Sequence, residues 1–201
     1  LEDARPGDKI LLVTYGEGSD ALVFEVTEAI SQLPPRRGVR SYLEHKRVAI
    51  NYEKYLRWRE LITFEPAKRP DQPRSSLPDY YRNYKKNYAL YGCQCKACGT
   101  AQFPPTRVCV QCQAVDQMES YRFYGKRGKV VTFVFDYLAL SADPPNVDVV
   151  VDFEGGGRMF CNLVDCDLQS IKVGMDIEMT YRHLFTADGI HTYFWKATPQ
   201  W

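Results

Sequence analysis

Histidine is scarce in this chain, with three residues in 201, and none lies in a metal-binding or nucleophile motif. His45, His183 and His191 are expected in structural or surface places, because no neighbouring group has a spacing suited to acid–base or nucleophilic work. A Ser-His-Asp grouping, paired catalytic acids and a Cys-His dyad are missing too. No apolar run reaches the ~18 residues of a membrane span, and no secretory signal pattern is present. An excess of either charge is also lacking: 26 Lys and Arg stand against 25 Asp and Glu, a net charge of +1. No global field therefore recruits nucleic acid or an acidic membrane. These absences lead us to expect a cytoplasmic chain with no chemistry of its own.

Apolar residues make up 45%, enough for a real core, and aromatics 13%, with fourteen Tyr. Seven Cys are present, and four fall as Cys95-x-x-Cys98 and Cys109-x-x-Cys112. Two such pairs offer four thiolates on two tight knuckles, the donor set of a closed tetrahedral zinc site with Zn–S near ~2.3 Å. Disulfides and a redox dithiol are the alternatives. Zinc spacing and an odd cysteine count fit a reducing compartment. Cys93 is a spare thiol beside the first knuckle and an alternative to Cys95. Cys161 and Cys166 read as small buried hydrophobes.

Along the chain, Arg5–Asp8 is a turn. Lys9–Tyr15 is an almost continuously apolar run, suited to a strand buried on both faces. Gly16–Asp20 then turns the chain into a second strand over Ala21–Thr27. A hairpin alone is not stable in water, so it is expected to extend a larger sheet in this chain or a partner. The glycines at 16 and 18 lack the third glycine and helix of a dinucleotide fingerprint, and read as a turn. Residues 31–92 form a polar, aromatic-rich connector. It holds a predicted helix over Tyr52–Leu61 capped by Asn51, a Pro-rich linker over 65–78, and a second helix from Pro78 to Asn87. Tyr80, Tyr81, Tyr84 and Tyr88 of that second helix are spaced for one packing or interface face. Basic clusters at Arg36, Arg37 and Arg40, at Lys46 and Arg47, and at Lys85 and Lys86 read as solvated faces, or as a site for an anionic cofactor tail. From residue 120, strands are expected over 129–138, 146–153, 158–164, 175–183 and 190–195, matching a small OB-type barrel. Acidic residues such as Asp136, Asp148, Asp152 and Asp176 outnumber its cations, a field that repels a phosphate backbone.

From Leu77 onward the order of features is specific. A Pro-Asp-Tyr-Tyr helix, Tyr91-Gly92, the two CxxC knuckles around Phe103-Pro104-Pro105, Gly125-x-x-Gly128 and a five-stranded barrel follow one another. This order resembles the DUF35 family, rubredoxin-like zinc ribbons fused to an acyl-CoA-associated OB-fold. Cys95, Cys98, Cys109 and Cys112 match that family's ligand positions. The hairpin from Pro6 to Asp20 and the segment Asn51–Arg59 are similar to the C-terminal tail of 3-hydroxy-3-methylglutaryl-CoA synthases and their thiolase-fold relatives. The catalytic residues of that fold lie upstream of such a hairpin, so none is inherited here. The resemblance implies a mainly β chain with short helices. Its parts are a thiolase-fold-type tail (1–64), a linker and helix (65–92), a structural zinc ribbon (93–119) and an OB-fold (120–201). It implies a non-catalytic accessory subunit in a hetero-oligomer, such as a heterotetramer, with a thiolase-fold enzyme that makes or breaks carbon–carbon bonds on CoA thioesters. Acetoacetyl-CoA and benzoylsuccinyl-CoA thiolases are examples of such partners. Arg36, Arg37, Lys46, Arg47, Lys126, Arg127 and Lys129 are then the candidates for CoA phosphate contacts. The competing readings are a stand-alone module binding nucleic acid or acyl-CoA, and the C-terminal fragment of a fused synthase-like enzyme.

Overall fold

A computed structural model describes residues 3–33, 38–44, 50–63, 65, 73–139, 141 and 143–200, with the backbone alone for Ser41. The chain divides into two compact units, Leu1–Lys46 and Arg47–Trp201.

The first unit is the expected hairpin. Strand β1 (Lys9–Tyr15) pairs antiparallel with β2 (Ser19–Glu25), from Lys9 opposite Glu25 to Tyr15 opposite Ser19. A 3₁₀ turn over Glu28–Gln32 and helix α1 (Val39–Glu44) follow. The burial expected for the apolar run is not met within the unit: Leu11, Val13 and Val23 are 64%, 61% and 71% exposed. Two strands supply no second layer, and Val26 is the one buried residue among those described here.

The second unit opens with α2 (Tyr52–Trp58), where the Asn51 side chain accepts the Lys54 N–H at 2.9 Å, a regular N-cap. The helix stops short of the expected Leu61 because Glu60 takes a left-handed φ of 55°. The helix expected over 78–87 is two helices, α3 (Leu77–Arg82) and α4 (Tyr84–Ala89), broken at Asn83 with φ −110° and ψ 22°. The break splits the tyrosine stripe: Tyr80 and Tyr88 meet at 5.7 Å, while Tyr81 points to solvent. The Asn87 carbonyl accepts the Trp195 indole N–H at 3.1 Å, fastening α4 to the barrel.

Strands β3 (Tyr91–Cys95), β4 (Ala101–Gln102) and β5 (Met118–Arg122) form a three-stranded sheet ordered β4-β3-β5. Strands β6 (Gly128–Asp136), β7 (Asn146–Phe153), β8 (Arg158–Leu163), β9 (Asp176–Ala187) and β10 (Ile190–Pro199) close a barrel in the order β10-β8-β7-β6-β9. Closure rests on one parallel contact, Ala197 to Leu163, beside otherwise antiparallel pairing. This is the expected five-stranded OB barrel. Alternation on β7 is clean: Val147, Val149, Val151 and Phe153 are buried and the residues between them are not. The last two strands run longer than expected: β9 continues past its barrel neighbours to the Asp188-Gly189 turn, and β10 continues over Lys196–Pro199, paired with Thr180–Ile177 of β9.

The ribbon sheet and the barrel share one core. Phe123, fully buried, sits between them with its ring centroid 5.7 Å from Phe103, 5.1 Å from Tyr121 and 5.0 Å from Phe153. Two glycines make room for it: a Cβ on Gly92 or Gly157 falls 2.5 or 2.4 Å from the ring. The fold is therefore mainly strands with a few short helices, a ribbon welded to a barrel.

Candidate metal centre

The two CxxC pairs form matching knuckles. In the first, the Cys95 N–H donates to the Thr100 carbonyl at 2.9 Å and the Gly99 N–H returns to the Cys95 carbonyl at 2.8 Å. In the second, the Cys109 N–H donates to the Ala114 carbonyl and the Gln113 N–H returns to Cys109, both at 3.0 Å. The same left-handed step ends each turn, at Gly99 (φ 75°) and Gln113 (φ 60°). β3 delivers Cys95, while an isolated bridge between Val108 and Val115 and the Arg107–Asp116 pair frame the second knuckle.

The four sulfurs all lie within 4.8 Å of one another. Cys95 Sγ is 3.6 Å from Cys112 Sγ, and Cys98 Sγ is 3.5 Å from Cys109 Sγ. A tetrahedron with Zn–S near ~2.3 Å has edges of roughly 3.8 Å, whereas a disulfide needs ~2.05 Å, so the sulfur spacing fits a metal. Hydrogen bonds to sulfur also suit thiolates: the Gln111 and Cys112 amides donate to Cys109 Sγ at 3.4 and 3.5 Å. The electrostatics point the same way. Thr100, whose hydroxyl lies 3.1 Å from Cys98 Sγ, holds that thiol down at about 6. At Cys112 the Ala114 amide pulls downward, but Cys98, burial and the other sulfurs outweigh it and push the thiol up to about 12. Four sulfurs so close cannot all ionise without a cation among them, and a divalent ion supplies that charge. Cys95 and Cys109 are buried and Cys98 and Cys112 exposed, so the site lies half-open to solvent.

Cys93 stands outside the quartet, with its sulfur accepting the Thr106 N–H at 3.4 Å. Cys161 is buried in the barrel, and burial pushes its thiol up to about 12. His183 and His191 flank the Thr186 hydroxyl at 3.1 and 2.8 Å with their rings edge to face. Of the basic candidates, Arg36, Arg37, Lys46 and Arg47 lie outside the described residues. Lys126 covers the Tyr121 ring at 4.6 Å and Lys129 pairs with Asp176 at 2.6 Å. Arg127 is exposed between them.

One residue of the site escapes sequence reasoning. Gln102, buried on β4, donates from Nε2 to the Thr106 hydroxyl at 2.6 Å and the Val108 carbonyl at 3.2 Å, while its Oε1 accepts the Val110 N–H at 2.6 Å. It ties the first hairpin to the second knuckle. Glutamine one position before Phe-Pro-Pro carries no periodic signal that marks it.

A rubredoxin-like zinc ribbon followed by an OB-fold is the class that this fold and site define. The family profile described as "ChsH2, rubredoxin-like zinc ribbon domain" matches residues 82–119, and "ChsH2, C-terminal OB-fold domain" matches 121–182. A DUF35 domain-containing scaffold protein of Methanocaldococcus jannaschii is 32% identical over 124 residues, 59% of this chain and 87% of the relative. Its counterpart in Methanothermobacter thermautotrophicus is 30% identical over 127 residues, 60% of this chain and 93% of the relative. The chain belongs to the DUF35 scaffold family. It is also similar to the hydroxymethylglutaryl-CoA synthase of Pyrobaculum aerophilum, 44% identical over 66 residues, 31% of this chain and 19% of the synthase. Among solved structures, the Ltp2-ChsH2(DUF35) aldolase aligns with a TM-score of 0.46 at 20% identity, over 65% of this chain and 98% of the other.

Proposed function

We propose that this chain is the accessory, non-catalytic part of a thiolase-type acyl-CoA enzyme that makes or breaks carbon–carbon bonds on CoA thioesters. The observation that carries it is the hairpin, which exposes apolar side chains on both faces while attached to a scaffold-family ribbon and barrel. A strand pair of that kind reaches stability inside a sheet covered on both sides, as in a thiolase-type α/β layer. The 66-residue similarity to a hydroxymethylglutaryl-CoA synthase supports the same reading. Cys95, Cys98, Cys109 and Cys112 hold one Zn²⁺, which contributes folding energy and no open coordination position. The reacting cysteine belongs to the thiolase-fold subunit, and the assembly is a hetero-oligomer. Lys126, Arg127 and Lys129, with Arg36, Arg37, Lys46 and Arg47, contact the phosphates of the CoA ester.

The similarity to the synthases also favours a second reading, in which this sequence continues a synthase-like catalytic region in the same polypeptide. One experiment tests both. The tagged chain is expressed in its native cell and recovered, and zinc and bound proteins are quantified. A stoichiometric thiolase-fold protein with one zinc per chain is expected for a separate subunit. The tag on a single longer polypeptide with acyl-CoA condensing activity identifies the fused form. Recovery of the chain with zinc but without either one rejects the assignment.

A further inference from the structure

A polar row crosses the outer wall of the barrel on strands β7, β8, β10 and β9, with Lys196 at its centre. Trp195 and Ala197, on either side of Lys196, are buried in the core, so alternation turns the lysine to the outer wall, where it is half-buried. On β9 it lies opposite Thr180, with Arg182 next along the same face. On its other side β8 runs parallel, through Ala197 beside Leu163, and carries Asn162 opposite Asp148 of β7.

The acids nearest Lys196 already have partners. The Asp148 carboxylate accepts the Asn162 side-chain amide at 2.5 Å. The Asp165 carboxylate, just past β8, is paired with the Arg182 guanidinium, whose Nε also donates to the Thr180 hydroxyl at 3.0 Å. Glu178, the next charge on that face of β9, lies opposite Thr198 instead of Lys196. Among the described residues, none is hydrogen-bonded to or ion-paired with the Lys196 ammonium. An ammonium held half out of water, with no carboxylate of its own, gives up its proton more readily. Burial, and then the Arg182 charge, hold the proton affinity of Lys196 below the ordinary lysine range, against a smaller upward pull from Asp148 and Asp165. A desolvated amine beside a second cation is the arrangement that makes lysine a nucleophile at neutral pH.

We propose that Lys196 is a modification site, a nucleophilic amine that CoA thioesters acylate. The inference rests on the proposed function for its acyl donor, since part of an acyl-CoA enzyme works amid such thioesters. In the step, the neutral Nζ attacks the thioester carbonyl carbon; a C–N bond forms and the C–S bond breaks. The proton shed by nitrogen goes to the departing thiolate, which leaves an amide on Lys196 and free CoA thiol. The amide removes one positive charge from the row. The test uses the full zinc-loaded chain with acetyl-CoA as probe, and acetic anhydride as a small acyl donor that needs no CoA recognition. Acylation is followed by peptide mass spectrometry across a range of pH. At neutral pH Lys196 is expected to react roughly fivefold or more faster than the exposed Lys85, Lys96 and Lys172 with either probe. In Lys196→Arg the fast phase is expected to vanish while one zinc per chain is retained. Arg182→Gln removes the second cation and frees Asp165, so it is expected to slow Lys196 and to move the midpoint of its pH profile upward. Reaction of Lys196 with acetyl-CoA no faster than that of the exposed lysines overturns the proposal, even where the anhydride finds it. So does a pH profile of Lys196 in the parent chain that coincides with theirs. Neither result touches the accessory function, which is decided by what the tagged chain recovers.

Discussion

Gln102 couples the two knuckles through a side chain with almost no access to solvent, so its loss leaves buried partners unmade. Gln102→Ala is expected to cost about 2 kcal/mol and to speed zinc transfer to a chromogenic chelator. Unchanged transfer kinetics would assign the brace to the sheet alone. Cys98 offers a second handle. Thr100 lowers its thiol from 9.0 to about 6, so in zinc-stripped protein Cys98 is a thiolate at neutral pH. Alkylation by iodoacetamide is expected to go first to Cys98, with a midpoint near 6, and Thr100→Val is expected to move that midpoint upward. A thiol lowered on folding favours the metal-free fold fully above the ordinary value near 9.0, and that contribution is lost as pH falls through about 6. Cys112, raised to about 12, acts oppositely: its contribution is present below 9.0 and lost as pH rises through about 12. Zinc must displace the remaining protons, so zinc retention weakens on acidification. The quartet itself was legible from its spacing. Gln102 was not, because its partners at 106, 108 and 110 meet it only when the arm between the knuckles folds back.

At the scale of elements, the seam between ribbon and barrel decides stability. Gly157 has φ 92° and almost touches Phe123, and Gly92 lies between that ring and the Gln102 carbonyl, 2.3 Å from where a Cβ would be. Gly157→Ala combines left-handed strain with a clash against a ring packed on all sides. A loss of more than ~2 kcal/mol is expected, read as a drop in melting temperature of roughly 5 °C or more. A neutral result would mean that Phe123 has room to move. Barrel strands were legible from β-branched and aromatic runs, and the Asn51 cap from its place before an amphipathic helix. The break at Asn83 was not legible: the tyrosine spacing allowed one helix. Anchoring of α4 to Trp195 and pairing of Tyr80 with Tyr88 bend the chain there instead.

For the whole molecule, the shared Phe123 core links metal to barrel. Stripping zinc is expected to lower the melting temperature of the barrel strands as well as the ribbon, followed by near-UV signal from Trp195. Two independent transitions, with the barrel unmoved, would show that the seam transmits nothing. The hairpin is expected to behave oppositely. Leu11 and Val23 face each other across the strands and are largely exposed, so Leu11→Ser with Val23→Ser should leave that melting temperature unchanged. The same pair of changes should weaken binding to the proposed thiolase-fold subunit at least tenfold, measured by calorimetry. Among the described residues no helix is long and apolar enough to cross a membrane. The sequence by itself determined the metal donors, the barrel strands and the two-faced hairpin, because each depends on local spacing: two residues between thiols, alternation along a strand, an unbroken apolar run. Only the tertiary structure decided where the spare Cys93 thiol turns, what braces the knuckles, and how one phenylalanine joins ribbon to barrel. Those depend on contacts between residues far apart in the chain, and no local pattern encodes which surfaces meet.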